Sequence, residues 1–227
     1  NQWNQSPSNL IGYGFKRAAG FMDVVCYTGN QTAGATQAHN LGVAPEMMIV
    51  KQRKVGEARP WSIYHRGIDA SAPEDYRISF TTGARVDDLG QWNDTAPTDS
   101  VFTLGDSTYV NNNNETYIAY LFATLAGVSK VGSYTGTGAD LNVDCGFTAG
   151  ARFILIKRTD STGDWYTYDS ARGIVAGNDP YLLMNSTAAE VTNTDYIDPL
   201  SAGFTVTSSA PAGLNASSGN YIFLAIA

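Results

Sequence analysis

Few side chains in this chain are equipped for acid–base or metal chemistry. Two histidines, His39 and His65, are too few for a histidine-based metal centre. Cys26 and Cys145 form neither a zinc pattern nor a disulfide framework and read as two buried thiols. Asp87, Asp88, Asp94, Asp99 and Asp106 fall in loop-like sequence, but their spacing matches no calcium loop, and they read as solvated. Asp195 and Asp198 are a pair to weigh as a glycosidase acid/base couple, which would need a cleft and a defined separation. No Ser-His-Asp pattern and no Gly-x-Ser-x-Gly elbow is present. The expectation is a non-enzyme with no cofactor and no catalytic residue.

The aromatic residues carry more information. Trp61 and Tyr64 recur at equal spacing as Trp165 and Tyr168. Recurrence of this kind suggests core packing first, because large rings dominate core energetics. The functional alternative is a stacking platform for sugar rings. Trp92 lies in the polar run Gln91-Trp92-Asn93-Asp94, which favours exposure, and its counterpart falls near Tyr196. Trp92 and Tyr196 are therefore the preferred markers of a ligand surface, followed by Trp61 and Trp165.

Positioning these rings requires a scaffold, and the sequence contains it twice. Met47-Met48-Ile49-Val50-Lys51 matches Phe153-Ile154-Leu155-Ile156-Lys157, with the lysines aligned. Arg66-Gly67-Ile68 matches Arg172-Gly173-Ile174, Tyr76 and Ile78 match Tyr181 and Leu183, and Phe102-Thr103-Leu104 matches Phe204-Thr205-Val206. Across seven such anchors the offset drifts only between about 102 and 107 residues, as expected of a repeat with small loop insertions. His39 and His65 align near Cys145 and with Asp169, so the candidate reactive types are not kept between copies.

Within each copy, short apolar or alternating runs rich in β-formers are separated by turn sequences such as Thr28-Gly29-Asn30 and Ser218-Gly219-Asn220. No amphipathic helix stands out. Thr116 to Leu125 is helical by propensity, but its counterpart Asn220 to Ala227 reads as strand. The Asn111-Asn112-Asn113-Asn114 run and its counterpart from Asn215 read as turns. The predicted fold is all-β: two tandem antiparallel β-sandwich modules of jelly-roll type, related by internal duplication. The boundaries are an N-terminal arm over 1–19, a first repeat over 20–126 and a second over 127–227. Trp3, Tyr13 and Phe15 of the arm are expected to pack on the first repeat.

Composition narrows the function classes. Of 227 residues, 43% are hydrophobic and 11% aromatic, enough to supply cores, while only 15% are charged. This balance is common in secreted, surface and virion β-proteins. The net charge of −7 and the lack of a basic stripe argue against nucleic acid as a partner. No apolar run approaches the ~20 residues of a membrane span, so no membrane insertion is expected. Asn1 to Gln5 carries neither the basic nor the apolar region of a signal peptide.

The blocks Lys16-Arg17-Ala18-Ala19-Gly20-Phe21-Met22-Asp23-Val24-Val25-Cys26-Tyr27-Thr28-Gly29, His39 to Lys51, Thr116 to Ala123, Val131 to Gly138 and Asp164 to Asp169 resemble an uncharacterised domain family of phage virion proteins. That family is tail- or tail-fibre-associated and of marine-phage type, and the resemblance runs from about residue 16 onward. The second copy departs from it at Ala151, where a proline like Pro45 is expected. The resemblance implies a virion component in the extracellular particle, built as a homo-oligomer (a trimer by analogy) among other virion proteins, with host-surface glycan as a partner. It transfers no catalytic residue. A capsid-decoration protein without a receptor and a polysaccharide depolymerase are the rival readings.

Overall fold

The computed structural model describes residues 11–54 and 59–227. The described residues form an antiparallel all-β structure of the sandwich kind, with helix limited to short turns. The first half contains β1 (Met22–Thr28), β2 (Ala35–Ala38), β3 (Met47–Gln52), β4 (Ser62–His65), β5 (Tyr76–Arg77), β6 (Val86–Asp87), α1 (Leu89–Trp92), β7 (Val101–Leu104) and β8 (Thr116–Phe122). The second contains β9 (Ser129–Thr135), β10 (Leu141–Asp144), β11 (Phe153–Arg158), β12 (Trp165–Asp169), β13 (Leu182–Leu183), β14 (Ile197–Leu200), β15 (Gly203–Val206), α2 (Ala212–Asn215) and β16 (Asn220–Ile226).

The halves pair their strands alike. The large sheets run β1-β8-β3-β4 and β9-β16-β11-β12-β13. Each is backed by a small sheet, β2-β7 in the first half and β10-β15-β14 in the second. The central strands explain the unbroken apolar runs of the sequence. In β8, Tyr117, Ala119 and Leu121 enter the first half's own core, whereas Tyr120 and Phe122 face a third core. In β16, Tyr221, Phe223 and Ala225 enter the second half's core, whereas Ile222 and Leu224 face the third. A strand buried on both faces needs no polar alternation.

The third core is the seam between the halves. It draws Met47, Ile63 and Phe122 from the first half and Leu155, Trp165 and Leu224 from the second. The seam also has polar ties. His65 is buried, with Nδ1 accepting the Gly67 N–H at 3.0 Å and Nε2 donating to the Phe223 carbonyl of the other half at 3.1 Å. These partners require the neutral ring with its proton on Nε2. Gly67 is needed there, because a Cβ at that position would stand 2.8 Å from Ser133 Cβ. Asp169, at the position equivalent to His65, instead accepts from Arg172 Nε (2.7 Å) and from the Tyr13 hydroxyl (2.9 Å).

The same side-chain staple closes both small sheets. Tyr27 stacks on Tyr117 at 5.2 Å, and Tyr134 on Tyr221 at 4.8 Å. The hydroxyls of Tyr27 and Tyr134 donate to the carbonyls of Val110 and Leu214. Asn111 donates to the carbonyls of Gly105 and Thr32, and Asn215 to those of Ala139 and Thr207. The Asn run read as a plain turn thus begins with a buried amide that satisfies backbone groups of two other segments.

Three expectations need correction. Cys26 is exposed on β1, and only Cys145 is buried; both are free thiols, and burial pushes the Cys145 thiol up to about 12. Ile78 bridges Ile63 while Leu182 pairs with Thr167, so Leu182 rather than Leu183 is the counterpart of Ile78. The arm packs on both halves: Phe15 meets Phe21 and Phe122 of the first and Phe153 of the second. Trp3 lies outside the described residues.

Candidate ligand-binding site

Trp61 and Trp165 each precede or open the returning strand of an equivalent hairpin. Lys157 pairs with Trp165 in the β11–β12 register, and Lys51 Nζ stands 5.5 Å from the Trp61 ring centre. Each lysine is held by a carbonyl of its own hairpin loop, Lys51 by Arg59 and Lys157 by Gly163. Burial at the seam pulls the Lys157 amine down to about 8.

The surroundings of the two indoles differ. Trp165 is sealed by the first half's segment after β5. Its Nε1 donates to the Ser79 carbonyl at 2.8 Å, and the Phe80 ring meets it edge-on at 4.9 Å. Around it, Thr82 O accepts from Lys157 Nζ (3.2 Å) and from Gly163 N (2.9 Å), while Arg85 N donates to Thr159 O. Trp165 is left 1% exposed.

Trp61 is only half-buried. Its ring touches the far edge of Phe80 at 5.8 Å, and among the described residues its Nε1 meets no acceptor. By the register above, the counterpart of Phe80 is Met184. It does not cover Trp61 as Phe80 covers Trp165, and it remains 46% exposed. The result is an open cleft of about 870 Å³. Trp61, Tyr120 and Phe80 come from the first half, Met184 to Thr187 from the second, and Tyr13 and Phe15 from the arm. Among the described residues, none of the lining side chains carries a charge. Tyr13 is fixed by donating to Asp169 and accepting from Arg172 Nη2 (3.1 Å), and burial followed by the Asp169 hydrogen bond raises its phenol above the ordinary range.

Residues 14–227 match the model of a family described as a domain of unknown function, DUF7483. The chain belongs to the DUF7483 family. The match spans both halves, so the aromatic cleft lies almost wholly within the matched region of this DUF7483 member. No curated protein and no solved structure matches the chain.

In this DUF7483 chain the four rings marked from sequence do not converge. Trp61 lines the cleft, and Trp165 lies behind Phe80 in the seam core. Trp92 overturns the expectation of exposure: it is wholly buried in the first half's core, its Nε1 donating to the Tyr76 carbonyl at 3.0 Å. The reason is local. Asp88 caps the turn of α1 and accepts from Gly90 N, Asn93 ends it in the left-handed region, and Gln91 is itself buried against Ser107. The polar neighbours of Trp92 thus serve the turn rather than solvent. Tyr196 is half-buried against Tyr181, outside the cleft.

Asp88, read from sequence as solvated, accepts from Arg77 Nε at 2.7 Å and from Gly90 N, and a further carboxylate that sequence did not mark is buried. Asp179 is fully buried, accepts N–H groups from Tyr196 and Ile197, and is pushed up to about 7 by desolvation, with Asp195 and Asp198 adding repulsion. Its pattern in sequence is unremarkable, because the donors that hold it come from a segment about 17 residues away. Among the described residues no group of three His, Cys, Asp or Glu side chains is placed to hold a metal. His39 is buried, with Nε2 against the Thr98 carbonyl.

Proposed function

We propose that this chain is a structural and adhesive component of a phage tail or tail fibre, holding uncharged host-surface glycan in the Trp61 cleft. The observation that carries the binding part is the half-exposed Trp61 in an aromatic cleft whose described lining side chains are uncharged. Such walls suit the apolar face of a neutral sugar ring, and Ser186 and Thr187 place hydroxyls at the rim for its edges, the Asn185 amide being held by Trp165 N and Asp164. The virion part rests on the family resemblance of the motif blocks given above. In a homo-oligomer each chain contributes one cleft, so weak single sites would add up through effective concentration.

The reading is of binding without cleavage. A glycosidase needs two carboxylates flanking the bond, and no carboxylate is found among the described residues lining the cleft. Titration of the full chain with host-envelope polysaccharide fragments tests it. Wild type is expected to bind and Trp61→Ala to lose binding with its melting temperature lowered by only about 2–4 °C, and no reducing ends are released. Equal binding by both proteins sinks the assignment to this cleft, and release of reducing ends favours a depolymerase. Immunogold labelling of particles separates tail from head, and labelling confined to heads favours a decoration protein.

A further inference from the structure

The two tryptophans allow one half to be used as a template for the other. At Trp165 the protein itself supplies the occupant: a ring edge, Phe80, against the indole, and a carbonyl one residue away, Ser79 O, on the indole N–H. At Trp61 the equivalent segment stands back, and among the described residues the N–H has no acceptor. A ligand that replaces the missing segment must offer a flat apolar ring face with a carbonyl oxygen close beside it. A neutral ligand fits best, because the described lining side chains are uncharged and the neighbouring Lys51 amine is already held by the Arg59 carbonyl.

We infer that the Trp61 cleft selects an N-acetylated hexosamine, the acetamido carbonyl accepting from Trp61 Nε1 while the sugar ring packs against the aromatic wall. The inference rests on the glycan reading above and names the sugar class. Among surface sugars, the 2-acetamido group supplies a neutral carbonyl next to an apolar ring face. A carboxylated sugar would bring an anion to a lining whose neighbouring cation, Lys51, is already engaged by the Arg59 carbonyl. Unacetylated sugars retain the stacking but leave the indole N–H unpaired, and a site built to satisfy a polar group discriminates against ligands that leave it unmatched.

The test is calorimetric titration of the full chain with an N-acetylglucosamine oligomer and a glucose oligomer of equal length. The acetylated oligomer is expected to bind several-fold and up to about tenfold more tightly, which one hydrogen bond of ordinary net strength supplies. Trp61→Phe keeps a ring and removes the N–H, so it should bring both oligomers to the same weak affinity; Trp61→Ala should abolish both. In a ¹⁵N-labelled sample the indole N–H signal absent from Trp61→Phe should shift with the acetylated oligomer alone. Equal affinity of wild type for both oligomers overturns this inference and leaves the glycan reading standing. Binding of neither overturns both, as does binding only of a Ser-Phe-Thr-Thr peptide, which would make the cleft a protein-docking site.

Discussion

The seam between the halves is crossed twice, once from each side, and only one crossing is sealed. From the first half, Ser79, Phe80 and Thr82 reach over and satisfy Trp165 and Lys157 of the second. From the second half, Met184 to Thr187 arrive at the corresponding place and leave Trp61 open. The central strand pairings of the large sheets, the tyrosine stacks and the asparagine staples are alike on the two sides, while the edge strands differ. The lesson is that shared residues maintain the scaffold, and the loops that differ decide whether an equal tryptophan is core or surface. A ring buried against a partner loop contributes to stability; the same ring left bare is available to a ligand.

The strongest way to break that comparison is to truncate both tryptophans. Trp165→Ala should cost about 3–5 kcal/mol, as for a fully buried large ring. Trp61→Ala should cost about 1 kcal/mol, the usual scale for a single substitution. Denaturant unfolding of the two variants measures this, and equal losses would show that the crossings do not differ energetically. The staples should respond alike. Asn111→Ala and Asn215→Ala each strand buried carbonyls and should each cost about 1–3 kcal/mol. A large loss in one and none in the other would argue that the staple works in a single half.

Acid sharpens the contrast between His65 and Asp169. Burial holds the His65 imidazole down to about 4, below its ordinary value near 6.5. Between those values the unfolded chain binds the extra proton, so stability falls as pH drops from about 6.5 toward 4, by at most about tenfold in the folding constant per pH unit. Asp169 is also held below its ordinary value despite burial, by hydrogen bonds from Arg172 and Tyr13 and by the Arg172 charge. Its contribution is present above pH 3.8 and is lost only below it. The buried Asp179, held up to about 7, gives the opposite slope over the same range, so the test is a difference: in urea unfolding across pH 4–7, His65→Gln should lose the decline toward acid that wild type shows relative to it, while Asp169→Asn leaves the shape of the profile unchanged. The smallest effect is on the thiols: a disulfide reagent should label Cys26 in the native protein and Cys145 only on unfolding, without a change in stability before labelling.

Much of the scaffold was legible in sequence. Lys51 and Lys157, Tyr117 and Tyr221, Phe102 and Phe204 were aligned by type and spacing, and the apolar runs ending each half read as strands. The candidate site was legible only in part. Trp61 was marked, but on equal terms with Trp165, which lies in the core. Trp92 was misread because its polar neighbours cap a turn and pair with one another, so local polarity does not report which way the ring points. Asp179 and Asn111 left no signal, since their partners are distant in the chain.

Sequence by itself determined the all-β character, the strand positions and the equal spacing of Trp61 and Trp165 within matching runs, because strand period, turn chemistry and residue spacing are local properties. Tertiary structure alone decided that one of these rings is sealed and the other open. That depends on how closely a loop from the opposite half approaches across the seam, with Phe80 filling its side and Met184 standing back from its own. Such an approach is set by the packing of two sheets and is recorded in no single stretch of chain.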